Sequence, residues 1–228
     1  MPTNQALQLI VIPHRPAAKA EIERDLAPAI SLLKKASGLK SFWSGRKFED
    51  RYTRVFLALW DNLESSHSFF TSSEYEKFHS AIQPALNGRK VTWTSHALMD
   101  HSFLSDHQHL SATLRSPAVE VALTKVVEGG VSGYYSQFNK VVTRVLDEED
   151  GCKGYFISPL VENPEDQLLL INWDSVDAHH EVFEKRPGFR ECIDALKDYY
   201  KEFVVPWHIV DIQEKDLRAI DGPVFLQN

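Results

Sequence analysis

Apolar positions along this chain fall into short unbroken runs and longer spaced stripes, in an order that is written twice. LQLIVI at 7–12 and VEVALTKV at 119–126 are β-rich runs with polar flanks, and they predict strands. A stripe follows each run. Ile22, Leu26, Ile30 and Leu33 recur at helical spacing in the first half, as Tyr135, Phe138, Val142 and Val145 do in the second. Gly38 and Gly151 then stand where a left-handed C-cap is expected, a conformation glycine reaches without a Cβ clash. LKSFWSG and CKGYFIS predict second strands, KFEDRYTR and VENPEDQ polar hairpins, and VFLALW and LLLINW third strands. Asp61 and Asp174 follow at an expected N-cap. The stripe Tyr75, Phe78, Ile82 and Leu86 is answered by Phe189, Cys192, Leu196 and Tyr200, and VTWTSHAL and VVPWHIVDI predict fourth strands.

The doubling holds at single positions. WDNLESSHSFF at 60–70 and WDSVDAHHEVF at 173–183 give an offset of 173 − 60 = 113, which pairs Trp60 with Trp173, His67 with His180 and Phe70 with Phe183. One extra residue in the second copy shifts the offset to 114, pairing Tyr75 with Phe189 and Trp93 with Trp207. Each copy therefore has the ferredoxin-like order β-α-β-β-α-β, and the fold class is α+β. A four-stranded sheet with helices on one face leaves the other face apolar, and two such faces can bury each other. Residues 5–100 and 117–213 are the expected halves, 101–116 a polar linker, and 214–228 a tail lying over the surface.

Composition narrows the field without naming a reaction. A net charge of −7 offers no basic surface, so nucleic acid is not an expected partner. Two cysteines are too few for a disulfide framework and suit a reducing compartment. The N-terminal apolar run is too short for a signal sequence, and nothing approaches the roughly 18 apolar residues of a membrane span. The expectation is a cytoplasmic protein with no membrane partner, binding a small hydrophobic molecule, and either a monomer or a weak homodimer.

W-x-x-x-E-x-x-H-x-x-F-x-x-S-x-Y, met as Trp60, Glu64, His67, Phe70, Ser73 and Tyr75, resembles the antibiotic biosynthesis monooxygenase (ABM) domain. The resemblance covers both halves and implies an intramolecular version of the dimeric α/β-barrel, similar to tandem proteins of fungi. It implies activities ranging from cofactor-independent oxygenation of aromatic polyketides to haem degradation, decarboxylation and cyclisation, and fold alone does not choose among them. Haem-degrading relatives carry a Trp ten residues before their ligand His, with a Ser between. Phe69, Ser72 and His79 stand at those places here, so the Trp is replaced.

Duplication also sorts candidate residues. A residue kept in both copies serves the shared architecture, whereas a polar residue opposite an apolar one is free to meet a ligand. Trp60 and Trp173, Asp61 and Asp174 fall in the first group. His67 and His180 do too, as ties from helix to a neighbouring carbonyl, with a second reading as substrate-binding groups. His79 lies opposite Ile193 within an apolar stripe, which predicts an inward imidazole acting as general base or haem ligand. His14, Trp43, Tyr75 and His96, the last set opposite Val210, are expected to line a first-half cavity with it. Tyr134, Tyr135, His179 and His208 are the second-half equivalents. His101, His107 and His109 lie in the polar linker without a fixed frame, so no metal site is expected. The predicted function is a small-molecule enzyme acting on a hydrophobic aromatic or polyketide-like compound. It would work by His-assisted proton abstraction without an organic cofactor. Hydrophobic-ligand binding without catalysis, or haem binding, is the alternative.

Overall fold

Each half builds the four-stranded antiparallel sheet that its apolar runs predict. In the first, β1 (Ala6–Pro13), β2 (Leu39–Lys47), β3 (Thr53–Trp60) and β4 (Trp93–Leu98) pair in the order β4-β1-β3-β2. Helices α1 (Lys19–Lys34), α2 (Leu63–Phe70) and α3 (Ser73–Leu86) lie on one face, where Ile22, Leu26, Phe56, Phe78 and Ile82 form a buried layer. After α4 (His107–Thr113), the second half repeats the plan with β5 (Ala118–Val126), β6 (Cys152–Pro159), β7 (Asp166–Trp173), the short β8 (Tyr200–Glu202) and β9 (Trp207–Glu214). Its order is β9-β5-β7-β6, with β8 pairing beside β5. Its helical layer is α5 (Val131–Gln137), a π turn at Phe138–Val142, α6 (Thr143–Asp147) and α7 (Pro187–Leu196). The computed structural model describes residues 5–91, 93–99, 107–202 and 204–217. No helix among them is long and apolar enough to cross a membrane.

The two sheets join edge to edge. β2 pairs with β9 from Trp43↔Glu214 to Lys47↔Ile209, and β4 meets β6 through the bridge Ala97↔Leu160. At that second seam the Ser158 hydroxyl donates to the Leu98 carbonyl at 2.9 Å and the Val161 N–H to the His96 carbonyl at 2.9 Å. A Cβ on Gly45 would come within 2.4 Å of Ile209 Cγ2, so glycine permits β9 to close against β2. Among the described residues the sheets thus meet at both ends, broadly through β2–β9 and at a single bridge through β4–β6. Between the sheets Leu7, Leu9 and Leu57 of one half meet Val119, Val121 and Leu170 of the other. The bare faces bury each other as predicted. Leu110 and Leu114, both 0% exposed, join this core, so the segment expected to be a polar linker also supplies an apolar plug. The side chains of His101, His107 and His109 lie outside the described residues, as does the chain beyond 217.

Three local expectations need correction. Gly38 is left-handed at φ +81°, but Gly151 is absent from the left-handed glycines, and Gly154 at φ +147° takes the unusual backbone instead. What the two glycines share is a strap: the Asp61 and Asp174 N–H groups donate to the Gly38 and Gly151 carbonyls at 2.8 and 2.9 Å. That strap holds the aspartates before the helix, so Asn62 caps α2 by accepting from Ser65 N–H at 2.8 Å. In the second half Ser175 accepts from Ala178 N–H at 3.0 Å. Finally, Gln8 pairs with His96 and Glu120 with His208, while Ala6 and Ala118 face Trp60 and Trp173. The fourth strands therefore match at 208 − 96 = 112, because the second half's helix-to-strand connection is two residues shorter than the offset of 114 assumes. The counterpart of His96 is His208, not Val210.

Candidate active site

The first half does not assemble the cavity expected of it. His79 is exposed. Phe78, Ile82, Ala85 and Leu86 carry the buried face of α3, and His79, one step round from Phe78, passes onto the solvent side. There its ring lies 6.1 Å from Tyr75 and 3.3 Å from the Gln83 amide. It borders neither of the two principal cavities, so the frame for a haem ligand or an inward base is missing at that position. Trp43 is sealed within the barrel core. His14 is buried at the far end of β1, six residues and about 20 Å of strand from the Gln8–His96 pair. Its Nδ1 lies 2.7 Å from the Arg15 carbonyl, and burial holds its imidazole below the ordinary value. Tyr75 is half-buried among Phe69, Phe70 and Phe78. His67 is exposed, with its ring edge-on to His96 at 5.6 Å.

A partly open cavity of about 200 Å³ lies instead between the sheet and helices of the second half. Its origin is a loss of volume. Ala122, Thr124, Leu169 and Cys192 line it, at positions where the first half carries Ile10, Ile12, Phe56 and Phe78, all of them buried. Ile193, opposite His79, also faces this space. Most of the wall is apolar, and four of its polar groups cluster together: Glu120, His179, His180 and Glu184. Tyr134 and Tyr135 lie on the same side of the sheet, Tyr134 lining the cavity and Tyr135 donating to Gln167 Oε1 at 2.8 Å.

Glu120 stands in β5 where the first half has Gln8, and each accepts from an equivalent indole: Trp173 Nε1–H at 2.8 Å and Trp60 Nε1–H at 3.0 Å. Burial pushes the Glu120 carboxyl up to about 7, and the tryptophan bond only partly opposes it. His179 Nε2 is 3.4 Å from Glu120 Oε2, and its ring stacks on Trp173 at 5.1 Å. Desolvation first, and the neighbouring His208 and His180 second, lower its pKa to about 3, so it is neutral at pH 7. The segment Ala178–Val182 is a π turn, whereas the matching α2 is regular. π turns recur at functional sites because the wider turn re-aims side chains.

Behind this cluster lies a reciprocal pair of clamps. The His208 backbone N–H donates to both Glu49 carboxylate oxygens at 3.0 Å, and its Nδ1 lies 2.7 Å from Glu49 Oε1. In the other half the His96 N–H and Nδ1 meet Glu162 in the same way, at 3.0–3.2 and 2.5 Å. Each glutamate belongs to the β-hairpin of the opposite half, so each clamp crosses a seam. Burial pushes both carboxyls up, but the histidine bonds outweigh it and hold them below their usual range. The free Nε2 then meets different partners: Ser66 Oγ at 2.8 Å from His96, and His179 Nδ1 at 2.9 Å from His208. Sequence reasoning missed Glu49, Glu162 and Glu120. The first two were legible as a matched pair at 162 − 49 = 113 within hairpins treated only as polar connections.

Residues 117–195 match the family model for antibiotic biosynthesis monooxygenase. That stretch of the second half is similar to an ABM domain. No curated protein matches the chain. Among solved structures, a candidate monooxygenase from Fusobacterium nucleatum subsp. nucleatum aligns over 94% of this chain and 96% of its own, with TM-score 0.62 and 10% identity. An anthrone oxidase-like protein aligns over 93% of each chain, with TM-score 0.62 and 11% identity. A candidate monooxygenase from Lactobacillus acidophilus NCFM covers 91% and 93%, with TM-score 0.56 and 10% identity. At such identities the likeness carries the fold alone, over nearly the whole chain.

Proposed function

We propose that the second half is the working unit of a small-molecule enzyme, taking a compact hydrophobic aromatic or polyketide-like compound with an acidic C–H or O–H. The carrying observation is a largely apolar cavity bordered by a cluster of polar groups, with Glu120 beside His179. Convergent polar groups favour chemistry over passive binding. Glu120 is the proton acceptor in this reading, and a carboxyl near 7 suits a base at neutral pH. His179, neutral and stacked on Trp173, orients the substrate oxygen. Proton abstraction thus moves from the exposed His79 to a buried carboxylate–imidazole pair.

Anthrone is the first probe, because its methylene is acidic and one structural neighbour is described as anthrone oxidase-like. Its oxidation to anthraquinone by O₂, with release of water, balances without an organic cofactor. Under air, Glu120→Gln should lower kcat by at least about 100-fold, the lower end for a lost general base. His79→Ala should match wild type. Equal turnover by Glu120→Gln and wild type would remove the proposed role. Tight binding with no turnover across anthrones and naphthols would favour a ligand-binding protein.

A further inference from the structure

His179, which stands beside Glu120, also belongs to a cluster with His180 and His208. One ring nitrogen of each lies within 4.8 Å of the others. His179 and His208 are buried, and His179 and His180 border the cavity. Each imidazole also has a carboxylate on its far side. Glu49 Oε1 is 2.7 Å from His208 Nδ1, Glu184 Oε1 is 3.1 Å from His180 Nδ1, and Glu120 Oε2 is 3.4 Å from His179 Nε2. Once a metal displaces the proton between His179 and His208, protonation of the far nitrogens toward those carboxylates would leave His208 Nε2, His180 Nε2 and His179 Nδ1 with lone pairs to offer. Carboxylates behind imidazoles fix their tautomer and raise their basicity, as around protein-bound zinc.

We propose that His179, His180 and His208 bind a divalent transition-metal ion of the Zn²⁺ type, with Glu49, Glu120 and Glu184 as orienting partners. Three neutral imidazoles suit Zn²⁺, Co²⁺ and Ni²⁺ rather than Mg²⁺ or Ca²⁺. The His179–His208 nitrogens stand 2.9 Å apart around one shared proton. A tetrahedral ion with bonds of 2.0–2.1 Å needs about 3.3 Å between ligand nitrogens. Binding would release that proton to solvent and spread this pair by a few tenths of an ångström, while the His180 nitrogen, within 4.8 Å of the others, would draw in to the same spacing. Because His179 and His180 border the cavity, a fourth position on such an ion would face it, where water or a substrate oxygen could bind. The π turn brings adjacent His179 and His180 rings within 4.7 Å of each other. The first half supplies the natural control: Ser66, His67 and His96 occupy the equivalent places, one imidazole short. The inference rests on this geometry and not on the proposed turnover.

Untagged, chelator-stripped protein is titrated with Co²⁺ and Zn²⁺, following visible cobalt bands and heat of binding. Wild type should take up about one ion per chain in the tetrahedral cobalt spectrum. His179→Ser, which installs the first half's own residue, should weaken binding at least tenfold, and Glu49→Gln about tenfold. Ser66→His should add a second equivalent. His107→Ala/His109→Ala should keep the first, separating the cluster from the linker histidines. Circular dichroism confirms that each variant is folded. Equal affinity in wild type and His179→Ser, or loss of binding with the linker variant alone, would overturn the site. Neither result depends on anthrone, so the metal site and the proposed reaction can fail separately.

Discussion

The first half packs its sheet–helix layer with Ile10, Ile12, Phe56 and Phe78, whereas the second places Ala122, Thr124, Leu169 and Cys192 there and opens a cavity. The same contrast runs through the polar positions: Gln8 becomes Glu120, and Ser66 becomes His179. What stays fixed is what holds the barrel together, namely the tryptophan bonds, the glycine–aspartate straps and the glutamate–histidine clamps across both seams. Duplication thus separates two demands that a homodimer must meet with one sequence. One copy can remain filled and structural while the other trades packing for a site. Because each clamp borrows its glutamate from the opposite hairpin, the filled half also holds the histidine behind the open one.

If that division is real, exchanging residues between the halves should have unequal consequences. The largest effect is expected from Phe78→Cys, which gives the first half the smaller residue of the second. Phe78 is 5% exposed within a tightly packed layer, and removing most of a buried phenyl costs about 3 kcal/mol. For a chain of this size that lowers Tm by about 6–12 °C, measurable by calorimetry. A drop below about 2 °C would mean that the first half is no better filled than the second. The reverse change, Cys192→Phe, should leave Tm within a few degrees of wild type, because the phenyl enters existing space. It should weaken binding of a fluorescent aromatic probe by at least about tenfold, or about 1.4 kcal/mol. Unchanged probe binding would place the ligand elsewhere.

The alternation of runs and stripes made the fold legible, because burial on one face leaves its period in the chain whichever residues do the filling. Trp60 and Trp173 were rightly read as architecture, since both indoles donate to the adjacent first strand. The site was less legible. His79 sits at the edge of a stripe, where a turn of one residue decides between core and solvent, and only the packing of α3 fixes it. His96 and His208 were visible separately but mismatched, because a register carried from a helix does not survive a shortened loop. Sorting by difference was sound in principle: the decisive contrasts are Ser66 against His179 and Gln8 against Glu120. It failed where the contrast was one of volume, since a cavity is made by small residues that attract no chemical notice.

The smallest effect concerns the clamps, and it tests whether the conserved frame works as an electrostatic device. Glu162 has its carboxyl held below the usual range: burial opposes ionisation, but the bonds from the His96 ring and backbone outweigh it. A depressed folded pKa means that the clamp's contribution is present in full above the unfolded value of about 4.5 and fades as pH falls through the folded one. Wild type should therefore lose stability faster than Glu162→Gln as pH falls below about 4.5, and their difference in Tm should shrink as it does. Glu162 is 44% exposed, so solvent screening keeps the difference below about 1 kcal/mol. A difference that stays constant with pH would mean that Glu162 closes the seam by shape and neutral hydrogen bonding alone. The β4–β6 seam, with its single bridge, would then rest on Ser158 and the backbone rather than on charge.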